Sequence, residues 1–168
     1  MCSDLSRRDL LRGRLKGGAR SLRPPWAQRG FTDLCDRCGA CLPACPEGIL
    51  VWGADGFPRV DFAGGGCSFC GQCVKACRPG ALAFPEESTV PPWLVLAVIA
   101  DTCLSCQGVV CRSCAEACPE GAIGFRPRRA GRADPLLDTE VCTGCGYCLR
   151  VCPVGAISLH ARRAEDGQ

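Results

Sequence analysis

The sequence predicts a small α+β protein, two tandem copies of one module behind a basic N-terminal arm, and three observations carry that prediction. Eighteen of the 168 residues are cysteine, and seventeen of these fall into four bunches. Cys35, Cys38, Cys41 and Cys45 read C-x2-C-x2-C-x3-C, a spacing repeated at Cys67, Cys70, Cys73 and Cys77 and again at Cys142, Cys145, Cys148 and Cys152. Every bunch ends on the same punctuation, a glycine three residues past its last cysteine (Gly48, Gly80, Gly121, Gly155) and then two apolar residues. A unit that recurs in this way is a repeat, and it governs the reading of the whole chain. With 6 % aromatics, 21 Gly and 13 Pro, large apolar side chains are scarce. The longest apolar run, Trp93 to Ala100, is eight residues, against the roughly 20 that a membrane helix needs. Neither a membrane span nor a large α/β enzyme with a buried parallel sheet fits such a chain.

Residues 1–30 form the arm, expected to be flexible. They carry eight Lys or Arg against Asp4 and Asp9, whereas residues 31–168 carry twelve basic against fifteen acidic residues. Ser6-Arg7-Arg8-Asp9-Leu10-Leu11 looks like a twin-arginine export motif. A working signal continues with roughly 7–15 apolar residues, but Arg12, Arg14, Lys16, Arg20 and Arg23 follow instead. The chain is therefore expected to stay in the cytoplasm. No aromatic-interleaved module accompanies the charge, so nucleic acid is not an expected partner. The arm reads as a solvated tail or as a tail that docks on a protein partner.

Residues 31–90 hold the first two cysteine bunches and residues 91–168 the other two. Within each unit, proline follows the last cysteine (Pro46, Pro119, Pro153) or stands one residue further on (Pro79). Proline withholds an N–H and fixes φ, and glycine permits the reversal that leads into a strand. Each unit thus reads as cysteine loop, one short helical turn, tight turn and strand. Further strands are expected over Pro58 to Phe62, Trp93 to Ala100, Ile123 to Arg126 and Ile157 to His160. Ala54-Asp55-Gly56 reads as a hairpin turn, and Arg126 to Arg132 as a charged, proline-containing loop. His160, the sole histidine, is expected at the surface. No nucleophile–base pair, phosphate-binding glycine loop or carboxylate dyad is present, so the chain is not expected to be an enzyme.

Three chemistries compete for the thiols. Disulfides suit small secreted domains, and thiols two residues apart are poor partners for one another because a bridge demands a particular Cβ separation and dihedral. Zinc usually draws two ligands from each of two separate C-x-x-C pairs, a pattern that three cysteines in succession followed by a fourth do not follow. The run C-x2-C-x2-C-x3-C-P is the bacterial iron–sulfur signature, its fourth cysteine serving the neighbouring cluster. The cofactors expected are four [4Fe–4S] clusters, and the modules are expected to be of the 2[4Fe–4S] ferredoxin type. Crossed ligation gives Cys35, Cys38, Cys41 with Cys77, and Cys67, Cys70, Cys73 with Cys45. It also gives Cys142, Cys145, Cys148 with Cys118, and Cys111, Cys114 with Cys152 and one ligand from upstream. Counting back from Cys111 by the regular spacing lands on Gly108, and both Cys103 and Cys106 lie within reach. Cys2, in the arm, is not expected to ligate. Each oxidised cluster with four thiolates carries about −2, which takes a chain of net +3 to about −5 when loaded.

The chain resembles the NapF family, ferredoxin-type accessory proteins of periplasmic nitrate reductase systems. The likeness rests on the four cysteine motifs, the Ser6-Arg7-Arg8 start, Arg23-Pro24-Pro25-Trp26 ahead of the first motif, and Phe125-Arg126-Pro127. The family's third motif resembles C-x7-C-x2-C-x3-C, which implies Cys103 as the upstream ligand and leaves Cys106 as an extra thiol. The resemblance also implies a cytoplasmic electron carrier that binds the catalytic subunit of the nitrate reductase and assists its maturation before export; the alternative is a standing electron-transfer subunit of another redox complex. The shifted Pro79 departs from the family's pattern and bears on the second tight turn.

Overall fold

The structure, a computed structural model, describes residues 22–86, 91–129 and 132–161. Cys2 and the Ser6-Arg7-Arg8 motif lie outside the described residues. The elements follow in the order α1 (Phe31–Leu34), β1 (Leu50–Trp52), β2 (Pro58–Val60), α2 (Gln72–Lys75), β3 (Val95–Ile99), α3 (Ser113–Glu116), β4 (Ile123–Pro127), β5 (Ala133–Leu137), α4 (Tyr147–Arg150) and β6 (Ile157–Ala161). Single helical turns and short antiparallel pairs are what an α+β chain with few large apolar residues can form. No helix among the described residues is long and apolar enough to cross a membrane.

The expected helical turn appears in three units, as α2, α3 and α4, each ahead of the last cysteine of its run. In the first unit the same segment is a non-helical turn. Its cause is Pro43. The residue in the same place in the second unit, Lys75, donates its N–H to the Gly71 carbonyl at 3.2 Å, a bond that proline cannot make.

The sheets are three two-stranded ladders. β1 and β2 form a hairpin with Trp52 opposite Pro58, closed at the expected turn by Gly53 N–H donating to Phe57 O at 2.8 Å with Gly56 at φ 75°. β4 pairs with β5, and β3 pairs with β6 across the whole second module. The segment expected to be a loop from Arg126 to Arg132 is shorter. β4 runs on to Pro127 and the chain returns as β5, with Arg128 N–H donating to Arg132 O at 2.8 Å. Strand β5 had no sequence signal, because Ala133-Asp134-Pro135-Leu136-Leu137 neither alternates nor favours strands. It forms because the turn delivers it opposite β4, with Pro135 opposite Phe125.

The modules share one plan, with one substitution. In the second, β3 enters and pairs with the exiting β6. In the first, Trp26 to Gln28 enter and Leu82 exits, reduced to one bridge between Ala27 and Leu82. Gln28 N–H donates to Ala81 O at 3.0 Å and Ala83 N–H to Trp26 O at 3.2 Å. Residues 22–30, placed with the arm by charge, thus pack on the first module, where Leu22, Trp26 and Ala27 lie against its core. That core gathers Phe31, Ile49, Leu50, Phe57, Val60 and Leu82 around the buried Cys41, Cys67 and Cys73. The second gathers Ala97, Ile123 and Ile157 around Cys114 and Cys148. Sulfur occupies core positions that leucine would fill in a larger domain.

Candidate metal centres

A one-turn helix sets the spacing of the thiols. Cys73 lies within α2 and Cys77 stands two residues beyond its end, so the turn separates the last two thiols of the run. Cys73 then faces the centre of its own run, while Cys77 is carried one turn further, into the territory of the neighbouring run. Cys114 with Cys118, and Cys148 with Cys152, repeat this across α3 and α4.

Among the described residues the four runs line four separate small cavities. Cys35, Cys38 and Cys41 line the first together with Cys77, and Cys67, Cys70 and Cys73 line the second together with Cys45. Cys142, Cys145 and Cys148 line another with Cys118, and Cys103, Cys111 and Cys114 the last with Cys152. Cys106 lines none of the four. The turn that separates it from Cys103 is held by Gln107 N–H donating to Cys103 O at 3.2 Å and Val109 N–H to Leu104 O at 2.9 Å. That turn buries Cys103 and leaves Cys106 half-buried outside the cavity, where burial and the Cys103 thiol raise its pKa. Gly108, where regular spacing would have put a ligand, makes the turn at φ 87°.

Burial governs the protonation of the inner thiols. It pushes Cys67 and Cys148 up to about 12 and Cys41 and Cys73 up to about 11, and it raises Cys114 and Cys145 as well. Thiols so placed are neutral near pH 7 and lose a proton only to a metal. Backbone donors are already aimed at sulfur: Leu82 N–H at Cys77 Sγ (3.3 Å), Ala122 N–H at Cys118 Sγ (3.3 Å), and Ala156 N–H at Cys152 Sγ (3.2 Å). These donors belong to the residues just beyond the tight-turn glycines, so the repeat's punctuation positions them.

The donor sets fit iron–sulfur clusters. All sixteen lining sulfurs are soft donors as thiolates, and each cavity is lined by three thiols of one run and one of another. The buried hydroxyl of Thr143 lines the Cys142 cavity and sits beside the Cys145 thiol, where its hydrogen bonding opposes the rise that burial gives that thiol.

Several site residues escaped the sequence reading. Three loops carry a glycine after their second cysteine, Gly39, Gly71 and Gly146, all at positive φ. An aromatic ring lies over each: Trp52 and Phe84 would stand 2.7 and 2.6 Å from a Cβ at Gly39 and Gly71, and Phe62 closes on Gly146. In the third run this position is Arg112, at φ −134°, whose guanidinium lies 5.4 Å from the Phe125 ring centroid. The glycines were visible as a recurring C-G-x-C, but the rings that cover them come from strands and turns elsewhere in the chain.

The profile of the 4Fe-4S dicluster domain matches twice, over residues 34–81 and 109–156. The class is thereby defined: an iron–sulfur protein of two tandem 4Fe–4S dicluster domains. The chain is similar to "Ferredoxin-type protein NapF" of Escherichia coli (strain K12), 42 % identical over 149 residues that cover 85 % of this chain and 87 % of that protein. Its namesake in Haemophilus influenzae is 38 % identical over 155 residues, 85 % and 86 % of the two chains. The chain belongs to the NapF family of ferredoxin-type proteins, electron carriers and accessory proteins rather than enzymes. A more distant likeness, 33 % identity over 155 residues, covers 82 % of this chain and 66 % of the "Methylamine utilization ferredoxin-type protein MauM" of Methylobacillus flagellatus.

Proposed function

We propose that the chain holds four [4Fe–4S] clusters, one in each cavity, and works in the cytoplasm on the catalytic subunit of a periplasmic nitrate reductase, assisting its maturation before export. The observation that carries the first half is the set of four cavities, each lined by three thiols of one run and the fourth of its neighbour. The sixteen ligands proposed are those lining residues, with Cys103 rather than Cys106 at the last site. When bound, each cluster supplies a one-electron carrier with a potential set by hydrogen bonding and exposure. The chain's own residues provide both controls. The N–H groups of Leu82, Ala122 and Ala156 donate to ligand sulfur and stabilise added negative charge. Ile49, Leu82, Ala97 and Ile157 keep water from the inner thiols.

The second half rests on family membership and on charge. A basic arm on a body made acidic by its loaded sites is a bipolar molecule, suited to grip an unexported partner. The test is retention of the reductase precursor by full-length, iron-loaded protein, against a variant lacking residues 1–21. This truncation spares Trp26 to Gln28, which the first module needs for its exit segment. The full chain is expected to retain the precursor, and the shortened one to retain less at equal iron content. Failure of the full chain to retain it would remove the maturation role. A second reading, a standing electron-transfer subunit of another redox complex, draws support from the likeness to the methylamine utilisation protein. It predicts co-purification with a mature enzyme at fixed stoichiometry.

A further inference from the structure

The modules meet along a seam of direct bonds. Cys67 N–H donates to Cys145 O at 2.7 Å, joining two cysteines from the runs around two different cavities. Arg150 Nη1 donates to Gly64 O at 3.3 Å, and within the second module Trp93 Nε1 donates to Thr143 O at 3.0 Å. Glycines let the backbones approach this closely. A Cβ on Gly66 would lie 2.5 Å from the Tyr147 ring, and one on Gly146 would collide with Phe62. The Phe62 ring in turn stands 6.1 Å from Trp93, edge to face.

We propose that electrons cross between the modules at this seam, between the Cys67 site and the Cys142 site, so that the four sites lie in series in the order Cys35, Cys67, Cys142, Cys103. Gly66, Gly146 and Phe62 are then positioning residues for the crossing. The proposal rests on reading the cavities as cluster sites. Within each module, the two cavities share the cysteine runs, each run giving three thiols to one cavity and its last to the other. Between modules, among the described residues, the bond from Cys67 to Cys145 alone links cysteines that line two cavities. The Cys103 cavity is lined wholly by the second module, and no bond of the seam reaches its lining. Chain order would place the Cys103 site beside the Cys67 site; the fold instead puts it at the far end. In the crossing one electron leaves the donor site, which is oxidised, and enters the acceptor site, which is reduced. No bond is made or broken and no proton moves; a low-potential one-electron reductant supplies the electron.

The test uses full-length protein, iron-loaded without air and fully reduced with dithionite, with EPR reading the magnetic interaction between clusters. Cys38→Ala combined with Cys111→Ala removes the two outer sites and leaves the inner pair. The proposal expects a spin-coupled spectrum from that pair and its loss when Gly66→Val is added. Two isolated signals from the inner pair would overturn it. In the chain with all four sites, Gly66→Val and Phe62→Ala should each weaken the coupling at unchanged iron content. Gly64→Ala, whose added Cβ meets nothing within 4 Å, should not. Coupling unchanged by Gly66→Val would also overturn the order. Iron content far below sixteen per chain in the natural sequence would strike the reading of the cavities, not the order.

Discussion

Cys103 and Cys106 stand three residues apart, and the fold gives them opposite duties, which serine substitution separates. Cys103 is 8 % exposed and shares its cavity with Cys111, Cys114 and Cys152; Cys106 is half-buried beyond the turn. Serine at position 103 leaves three thiolates and a hydroxyl that is a poor donor to iron. The expected loss is one cluster, about four of about sixteen irons per chain. Serine at 106 should leave the iron content whole and change stability by no more than about 0.5 kcal/mol, as at other positions away from the core. A buried hydroxyl at 103 carries its own cost of about 1–3 kcal/mol, so Cys103→Ala serves as a companion variant that introduces no polar group. Both 103 variants should lose the same iron. The assay is iron and acid-labile sulfide per chain from anaerobic preparations, read beside the EPR intensity of the reduced protein. Loss of a quarter of the iron from Cys106→Ser, with Cys103→Ser fully loaded, would refute the reasoning.

Other outcomes follow from burial and hydrogen bonding. Because Cys41, Cys67 and Cys73 sit in one core and Cys114 and Cys148 in the other, chelating the iron under reducing conditions should unfold most of the chain. A well-dispersed NMR spectrum of the apo protein would contradict this. Burial raises the Cys67 and Cys148 thiols to about 12, so loading must expel their protons, and affinity should rise with pH. Reconstitution at about pH 8.5 should therefore be tighter than at about pH 6.5, and equal loading at both would count against the buried-thiol account. Thr143→Val removes the buried hydroxyl beside the Cys145 thiol in the Cys142 cavity. It should lower one midpoint potential by up to about 60 mV, the one-electron equivalent of about 1.4 kcal/mol. Unchanged midpoints in a redox titration would deny the hydroxyl a donor role.

The repeat made most of this legible. Spacing alone suggested Cys35, Cys38 and Cys41 with Cys77, and those four residues line one cavity. Strands signalled by apolar residues after a glycine formed at Leu50, Ile123 and Ile157. At Leu82 the signal was the same, but the strand shrank to a bridge because its partner, Trp26 to Gln28, offers so short a segment. Strand β5 and the rings of Trp52, Phe62 and Phe84 were not legible, since each is placed by a partner remote in the chain. The bond from Cys67 to Cys145 belongs with them: it depends on two glycines and a tyrosine meeting across two modules. Residues 22–30 were assigned by charge, although Trp26 and Ala27 pack rather than trail in solvent.

The central claim is that sixteen cysteines grip four iron–sulfur cubes. Iron, sulfide and zinc counted together on protein purified without air test it most directly. About sixteen irons and as many sulfides per chain are the expected result, and about four zincs with no sulfide would contradict it.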